Sequence, residues 1–347
     1  MLYQHFLYFC RRAARPLLAT TGVALLLTLP ATVSVAQGVQ SKGGSVEQLT
    51  AMLQVIDPYC PNASVSETVA VFGSTSMDAL AHGWASGYKQ FHPQAKVEIS
   101  AANSEQLLPM FKTHPTGVAM ISRPVAAGEL DELRKQGLKQ PVAFMVAREA
   151  LSVYVHQSNP VSAISGEQLR AVFTTDTQAS SPQWGELGAT GTWAKQPMHI
   201  ILRTENSGTQ HFLSDFVFSG AKLRPAQSEH TSNAKVLQAI SSDPSAISIC
   251  GFRSSGSSVK ALQLINGNQV IPCDDQTVLS GQYPLMRPMS LIIDLGQTGP
   301  KAVASQELVR YALGQAGQTQ AILVGFFPVD LPLLRAGMET LAATPVQ

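Results

Sequence analysis

Apolar positions along the chain switch between two periods. Residues 68–73, TVAVFG, form a β-branched run closed by glycine, the pattern of a buried strand. Met77, Leu80, Ala81, Trp84, Tyr88 and Phe91 then recur at helical spacing, and Pro93 stops that helix. The couple repeats. KVEIS (96–100) predicts a strand and SEQLLPMF (104–111) a helix; GVAMIS (117–122) predicts a strand and GELDELRK (128–135) a polar helix. FMV (144–146) and LSVYVH (151–156) read as two further strands. Beyond them SGEQLRAVF (165–173), SNAKVLQAI (232–240) and SQELVRYAL (305–313) read as helices. MHIILR (198–203), SAISICGF (245–252), ALQLI (261–265) and PMSLIIDL (288–295) read as strands. Alternation of this kind predicts an α/β fold with helices on a mixed or parallel sheet.

The segments before residue 68 behave differently. Arg11, Arg12 and Arg15 precede the apolar run 17–29, and Ser34-Val35-Ala36 supplies small residues at a cleavage spacing. This predicts a secretory signal peptide over 1–36. A retained anchor is the alternative, but the run is short of the about 20 residues a membrane span needs. Residues 37–67 read as a leader with one short helix at VEQLTAMLQVI (46–56). The 347 residues carry a formal net charge of +1, and removing the signal takes away three basic residues and leaves −2. Nucleic-acid binding, which calls for a basic excess, is not indicated. Any anion must be held by local groups rather than a global field.

Cys60, Cys250 and Cys273 follow the signal. Export permits disulfides. Cys250 and Cys273 flank a predicted strand and the turn at Asn266-Gly267, so they are the expected pair, with Cys60 free; three unpaired thiols with Cys250 simply buried is the alternative. No cysteine or histidine spacing matches a metal site, and no metal or cofactor is expected. The pair Asp274-Asp275 has no partner ligands in view.

Three predicted strands leave through hydroxyl-rich turns: GSTS (73–76), ISRP (121–124) and RTENSGT (203–209). Ligands of open α/β sheets bind outside the carboxyl ends of the strands. The first turn of a helix offers unpaired N–H groups and a partial positive charge, and an arginine fork suits a tetrahedral oxyanion. A single such turn is more often an ordinary helix cap. The set of three is what points to an anion.

GSTSMDALAHGW (73–84), ISRPV (121–125), the run NPVSAISGEQLRAVF (159–173), RTENSGT (203–209) and AISICGF (246–252) occur in this order. In this the chain resembles the periplasmic phosphate-binding subunit of ABC transporters, the PstS-like family, from about Val69 to the C-terminus. The resemblance implies a type II periplasmic-binding-protein fold, α/β and two-lobed, with the ligand cleft between lobes. Lobe 1 would comprise 68–151 and 252–347, and lobe 2 would comprise 152–251. It implies inorganic phosphate as ligand, a membrane permease with a separate ATPase as partner, a periplasmic location and a monomeric chain. No P-loop pattern occurs in the sequence, in keeping with a separate ATPase.

Matched position by position, Thr75 and Ser76 fall on the family's first phosphate-contacting turn, and Arg203, Ser207, Gly208 and Thr209 on its last. Ser104 is the match in the second turn. The sequence departs from the family at Ser122, where well-known members carry an aspartate that accepts the proton of hydrogen phosphate. Arg123 beside it adds a cation if it points inward. Glu205 and Asp78 are the carboxylates left nearby to take the aspartate's part.

A secreted adhesin or signalling role on a retained binding fold is one rival at this level, and two more specific rivals remain. One is binding of another oxyanion, such as sulfate or molybdate. The other is a phosphatase-like enzyme with Ser207 as nucleophile, which needs a base such as His82 or His211 within reach. Neither histidine lies in a nucleophile-elbow motif. The SNAK sequence (232–235) has the spacing of a serine–lysine pair but reads more simply as a helix cap.

Overall fold

A computed structural model of the chain describes residues 46–102, 107–176, 181–205, 207–252 and 258–343. The predicted signal peptide and Ser104 lie outside them. The strands are β1 (Thr68–Ser74), β2 (Lys96–Ala102), β3 (Val118–Ile121), β4 (Pro141–His156), β5 (Ala163–Ser165), β6 (His199–Arg203), β7 (Ser228–His230), β8 (Ala246–Gly251), β9 (Val259–Ala261), β10 (Gln263–Asn266), β11 (Gln269–Ile271) and β12 (Met286–Asp294). The helices are α1 (Val46–Met52), α2 (Asp78–Tyr88), α3 (Leu107–Thr113), α4 (Glu129–Lys135), α5 (Gly166–Phe173), α6 (Gly208–Phe212), α7 (Asn233–Ser242), α8 (Asp275–Leu279), α9 (Pro300–Leu313), α10 (Gln315–Leu323) and α11 (Leu331–Ala342).

The main sheet among the described residues runs β2-β1-β3-β12-β4-β8-β6-β7, with β9 also on β4. Pairing is parallel for β2, β1 and β3 and again for β8, β6 and β7. Between these two parallel groups β12 and β4 run antiparallel to their neighbours. Such a mixed sheet needs helices on its faces, because parallel strands are apolar on both sides.

Where the sequence predicts two strands, FMV and LSVYVH, the structure has one. β4 pairs with β12 from Pro141 to Ala150 and with β8 from Leu151 to Val155. It thus belongs to both halves of the sheet. The apolar pattern is interrupted at Arg148 and Glu149, but both charges find partners and the strand continues. Arg148 pairs with Asp330 at 3.1 Å, and Glu149 with Arg287 at 2.6 Å.

Two large apolar clusters flank this changeover and give the fold its two lobes. One gathers Val71, Trp84, Tyr88, Met120, Leu291, Leu308 and Tyr311. The other gathers Val153, Phe173, Trp184, Ile200, Phe212, Ile247 and Ile249. Each fully buried Leu or Phe of these clusters contributes roughly 1.5–3 kcal/mol relative to exposure. Leu262, Leu264, Ile271, Val278, Tyr283 and Leu285, which the sequence assigns to lobe 1, pack in the second cluster. The leader packs too. Leu49, Leu53, Ile56 and Tyr59 enter the first cluster, and Tyr59 Oη donates to Glu307 Oε2 at 2.7 Å.

Local sequence sets the helix ends. Ser165 and Gln168 form a capping box at α5, Ser232 caps α7 and Asp274 caps α8. Ser232 therefore has the plain role that its sequence context suggests. Helices α10 and α11 have no counterpart in the sequence reading. α10 buries Gly317, Gln318, Ala321 and Ile322, a mixture without an apolar stripe. Gln318 is held by polar contacts: its Nε2 donates to Val146 O and Ala312 O, and its Oε1 accepts from Val329 N.

The expected Cys250–Cys273 disulfide is not formed. Both are free thiols, and Cys60 is the bonded one. Of the strands between them, β9 pairs with β4, and β10 pairs with β5 and β11 in a separate three-stranded sheet rather than with β8. Cys250 sits on β8 opposite Ser152, packed with Tyr154 and Val236. Burial holds its thiol well above the usual range, and burial pushes Cys273 up to about 12.

Candidate functional site

The site begins with a glycine that no other residue can replace. Gly73 has φ +117°, and a Cβ there would lie 2.4 Å from Met120 O. This close approach of β1 to β3 brings their exits side by side. Ser74, the last residue of β1, caps the 3₁₀ turn Thr75–Met77, its Oγ accepting from Ser76 N at 3.3 Å. The same Oγ lies 2.6 Å from Ser122 Oγ at the exit of β3. Helix α2 starts directly behind this turn.

The third turn arrives from the other half of the sheet. Ser207 caps α6, its Oγ accepting from Gln210 N at 3.2 Å. Arg287, on β12 and fully buried, fastens this turn. Its Nη1 donates to Gly208 O at 2.6 Å, its Nη2 to Thr209 Oγ1 at 3.0 Å, and its Nε to Glu149 Oε2 at 2.7 Å. A Cβ on Gly208 would lie 2.4 Å from Ser122 Oγ, 2.7 Å from Ser74 Oγ and 3.0 Å from Ser76 Oγ. The three hydroxyl-rich turns therefore do converge, and glycine is required where they meet.

Beside this meeting point lies a cavity of 310 Å³, lined in part by Thr75, Ser76, Glu149, Arg203, Asn233 and Gly251. Thr75 Oγ1 and Ser76 Oγ are buried there without a hydrogen-bond partner. Buried hydroxyls are normally satisfied, so this pair marks a place for a ligand or water. Arg203 is 7% exposed. Its Nε donates to His230 O, its Nη2 to Thr231 O at 2.7 Å, and its Nη1 to Asn233 Oδ1 at 2.9 Å. All three acceptors are neutral. They orient the guanidinium, and among the described residues two of its five N–H groups have no acceptor. Burial lowers its pKa, Glu149 opposes that shift and Arg287 adds to it.

Arg123 stands differently. Its Nη1 and Nη2 grip Glu129 at 2.8 and 2.7 Å, and that hydrogen-bonded pairing raises its pKa. With Ser122, Gly208, His211, Asp215 and Phe216 it lines a second cavity of 300 Å³. Of the residues singled out in the sequence, Thr75, Ser76 and Arg203 share the first cavity, while Ser122, Ser207, Gly208 and Thr209 form the packed junction next to it. Arg123 faces Glu129. Of the other carboxylates considered, Glu205 is exposed and Asp78 lines the first cavity, half exposed beside His82.

Four residues of the site escape a sequence reading: Glu149, Arg287, Asn233 and Gly251. A charge inside an otherwise apolar strand is the available signal for Glu149 and Arg287. Ionisable groups are seldom buried unless they are paired. Asn233 reads only as the start of a helix, and Gly251 as the end of a strand.

A family model for the PBP superfamily domain matches residues 61–315. The chain belongs to the PBP superfamily. This superfamily member is 26% identical over 304 residues to phosphate-binding protein PstS of Pseudomonas aeruginosa, covering 86% of this chain and 94% of that one. Its fold is that of a possible phosphate binding protein from Planctomyces limnophilus, with a TM-score of 0.63 at 21% identity, over 81% of this chain and 99% of that chain. An ABC-type phosphate transport receptor from Vibrio cholerae superposes with a TM-score of 0.62 at 19% identity, over 75% and 100%. No helix among the described residues is long and apolar enough to cross a membrane.

Proposed function

We propose that this PBP superfamily protein captures inorganic phosphate in the periplasm and delivers it to the membrane permease of an ABC transporter, whose ATPase is a separate chain. The observation that carries this reading is the pairing of two unpartnered buried hydroxyls, Thr75 Oγ1 and Ser76 Oγ, with the Arg203 guanidinium across one cavity. Hydroxyl and guanidinium donors lining one small cavity suit a tetrahedral oxyanion. The similarity to proteins described as phosphate-binding and as a phosphate transport receptor supports phosphate as that anion. The signal-like pattern of residues 1–36 supports export.

Binding without catalysis is supported by the hydrogen bonds of the serines. Among the described residues no histidine is hydrogen-bonded to Ser76, Thr75 or Ser207, and His82 Nδ1 lies 2.9 Å from Asp78 O. A serine nucleophile needs such a base. Calorimetric titration of the purified protein with phosphate, run beside an assay with p-nitrophenyl phosphate, tests the proposal. It predicts one phosphate bound per chain and no release of p-nitrophenol. Steady release that Ser207→Ala abolishes would establish the enzyme instead.

A further inference from the structure

We propose that Asn233 is a ligand-binding residue of the first cavity, with its side-chain oxygen on Arg203 and its amide nitrogen donating to the anion. The inference rests on the phosphate reading above. Asn233 is the first residue of α7, directly after the cap Ser232, and lines the cavity with Thr75, Ser76 and Arg203. The orientation of its amide is fixed. A guanidinium offers only N–H groups, so the atom of Asn233 that lies 2.9 Å from Arg203 Nη1 has to be the oxygen. The nitrogen is therefore turned away from Arg203. Nδ2 stands beside Gly251, where a Cβ would lie 2.8 Å from it, and Gly251 lines the same cavity. Glycine at 251 keeps the approach to Nδ2 open. Among the described residues Nδ2 has no hydrogen-bond acceptor, although it carries two N–H groups.

The choice of an amide matters because of what an aspartate would do in the same place. It would accept the same bond from Nη1 but answer the cation, as Glu129 does for Arg123. It would also present a second anionic oxygen where Nδ2 now stands. Asparagine holds Arg203 with a neutral dipole and supplies a donor in place of that oxygen. A donor meeting an ionised oxygen of the ligand forms a charge-assisted hydrogen bond, about twice as strong as a neutral one. Thr75 and Ser76 follow β1, whereas Arg203 ends β6 and Asn233 lies just beyond β7. Asn233 thus adds a second donor to the Arg203 side of the cavity.

The test reads phosphate Kd by equilibrium dialysis with labelled phosphate, and stability by urea unfolding in phosphate-free buffer. Asn233→Ala removes the donor and loosens Arg203, and is expected to raise Kd about tenfold. Asn233→Asp keeps the shape but reverses the donor and neutralises Arg203, so it should bind phosphate at least about tenfold more weakly again. A residue that only shaped the fold would give the opposite ranking, with the isosteric aspartate milder than alanine, and that result overturns the proposal. So does a parent-like Kd in Asn233→Ala, whatever its unfolding midpoint. Asn233→Ala is then repeated in the Arg203→Ala background, where Asn233 can act only through its own contact with the anion. It should still raise Kd a few-fold there. No change in that background would show that Asn233 works through Arg203 alone, and overturns the direct contact. Failure of the unaltered protein to bind phosphate at all would refute the functional reading itself, a result separate from any ranking of variants.

Discussion

Arg123 lies two residues past β3 and Arg203 ends β6, and each stands in a hydroxyl-rich turn. Their surroundings separate them. Arg123 meets a carboxylate, Glu129, through two parallel hydrogen bonds, so its charge is answered within its own turn. Arg203 meets two backbone carbonyls and an asparagine oxygen, which orient it without neutralising it. Arg287 is a third case, fully buried and paired with Glu149, where it clamps the Gly208–Thr209 turn to β4. An arginine thus serves an anion site when its neighbours are dipoles and serves the fold when its neighbour is an ion.

The largest effect is expected where pairing and fastening coincide. Arg287→Ala leaves Glu149 buried without its partner and releases the Gly208–Thr209 turn. Breaking one side of a buried pair costs about 3–5 kcal/mol, to be read from urea unfolding. An unfolding midpoint equal to the parent's would show that Arg287 is not the clamp described here.

Next comes the junction. Gly208→Ala places a methyl within 2.4 Å of Ser122 Oγ and 2.7 Å of Ser74 Oγ, so the turns must separate. Overpacking of this kind costs roughly 1–3 kcal/mol. Phosphate affinity is expected to fall with it, since closure of the turns around the ligand is impeded. Unchanged affinity and stability in Gly208→Ala would mean the turns do not meet at this glycine.

Smaller again is Ser76→Ala. It removes one unpartnered donor, worth about 0.5–1.5 kcal/mol, or a few-fold in Kd. Stability should hold or rise slightly, because a buried hydroxyl without a partner is lost with it. A variant that destabilises the chain and leaves binding intact would assign Ser76 to the fold.

Much of the fold was legible because short apolar runs and helical spacing report burial directly. β1, β3, β6, β8 and β12 all lie where the pattern puts them. What hid from the pattern was polar and buried together. Arg148-Glu149 divided β4 in the sequence reading, since a charge pair inside an apolar run resembles a break. Their partners, Asp330 and Arg287, lie far along the chain and become visible only in three dimensions. Helix α10 hid for the same reason, as Gln318 takes a core position through hydrogen bonds rather than apolar contact. At the site, the hydroxyl turns were legible because caps and glycines have local spacing. The second-turn residue Ser104 lies outside the described residues. The buried carboxylate of the first cavity, Glu149, lies on β4, two strands from β3 across β12, where no local motif announces it.

The contrast between the two arginines is tested most directly by calorimetric titration of Arg203→Ala and Arg123→Ala with phosphate under one set of conditions. Arg203→Ala removes a buried cation that lines the cavity. It should weaken binding by about tenfold or more, at roughly 1.5–3 kcal/mol per charge-assisted bond. Arg203→Lys should recover part of that loss, because lysine keeps the charge but not the planar fork. Arg123→Ala breaks a partly exposed ion pair worth about 0–1 kcal/mol of stability and should leave phosphate affinity within about twofold. The opposite ranking, with Arg123→Ala abolishing binding and Arg203→Ala matching the parent, would place the anion in the second cavity and contradict the site described here.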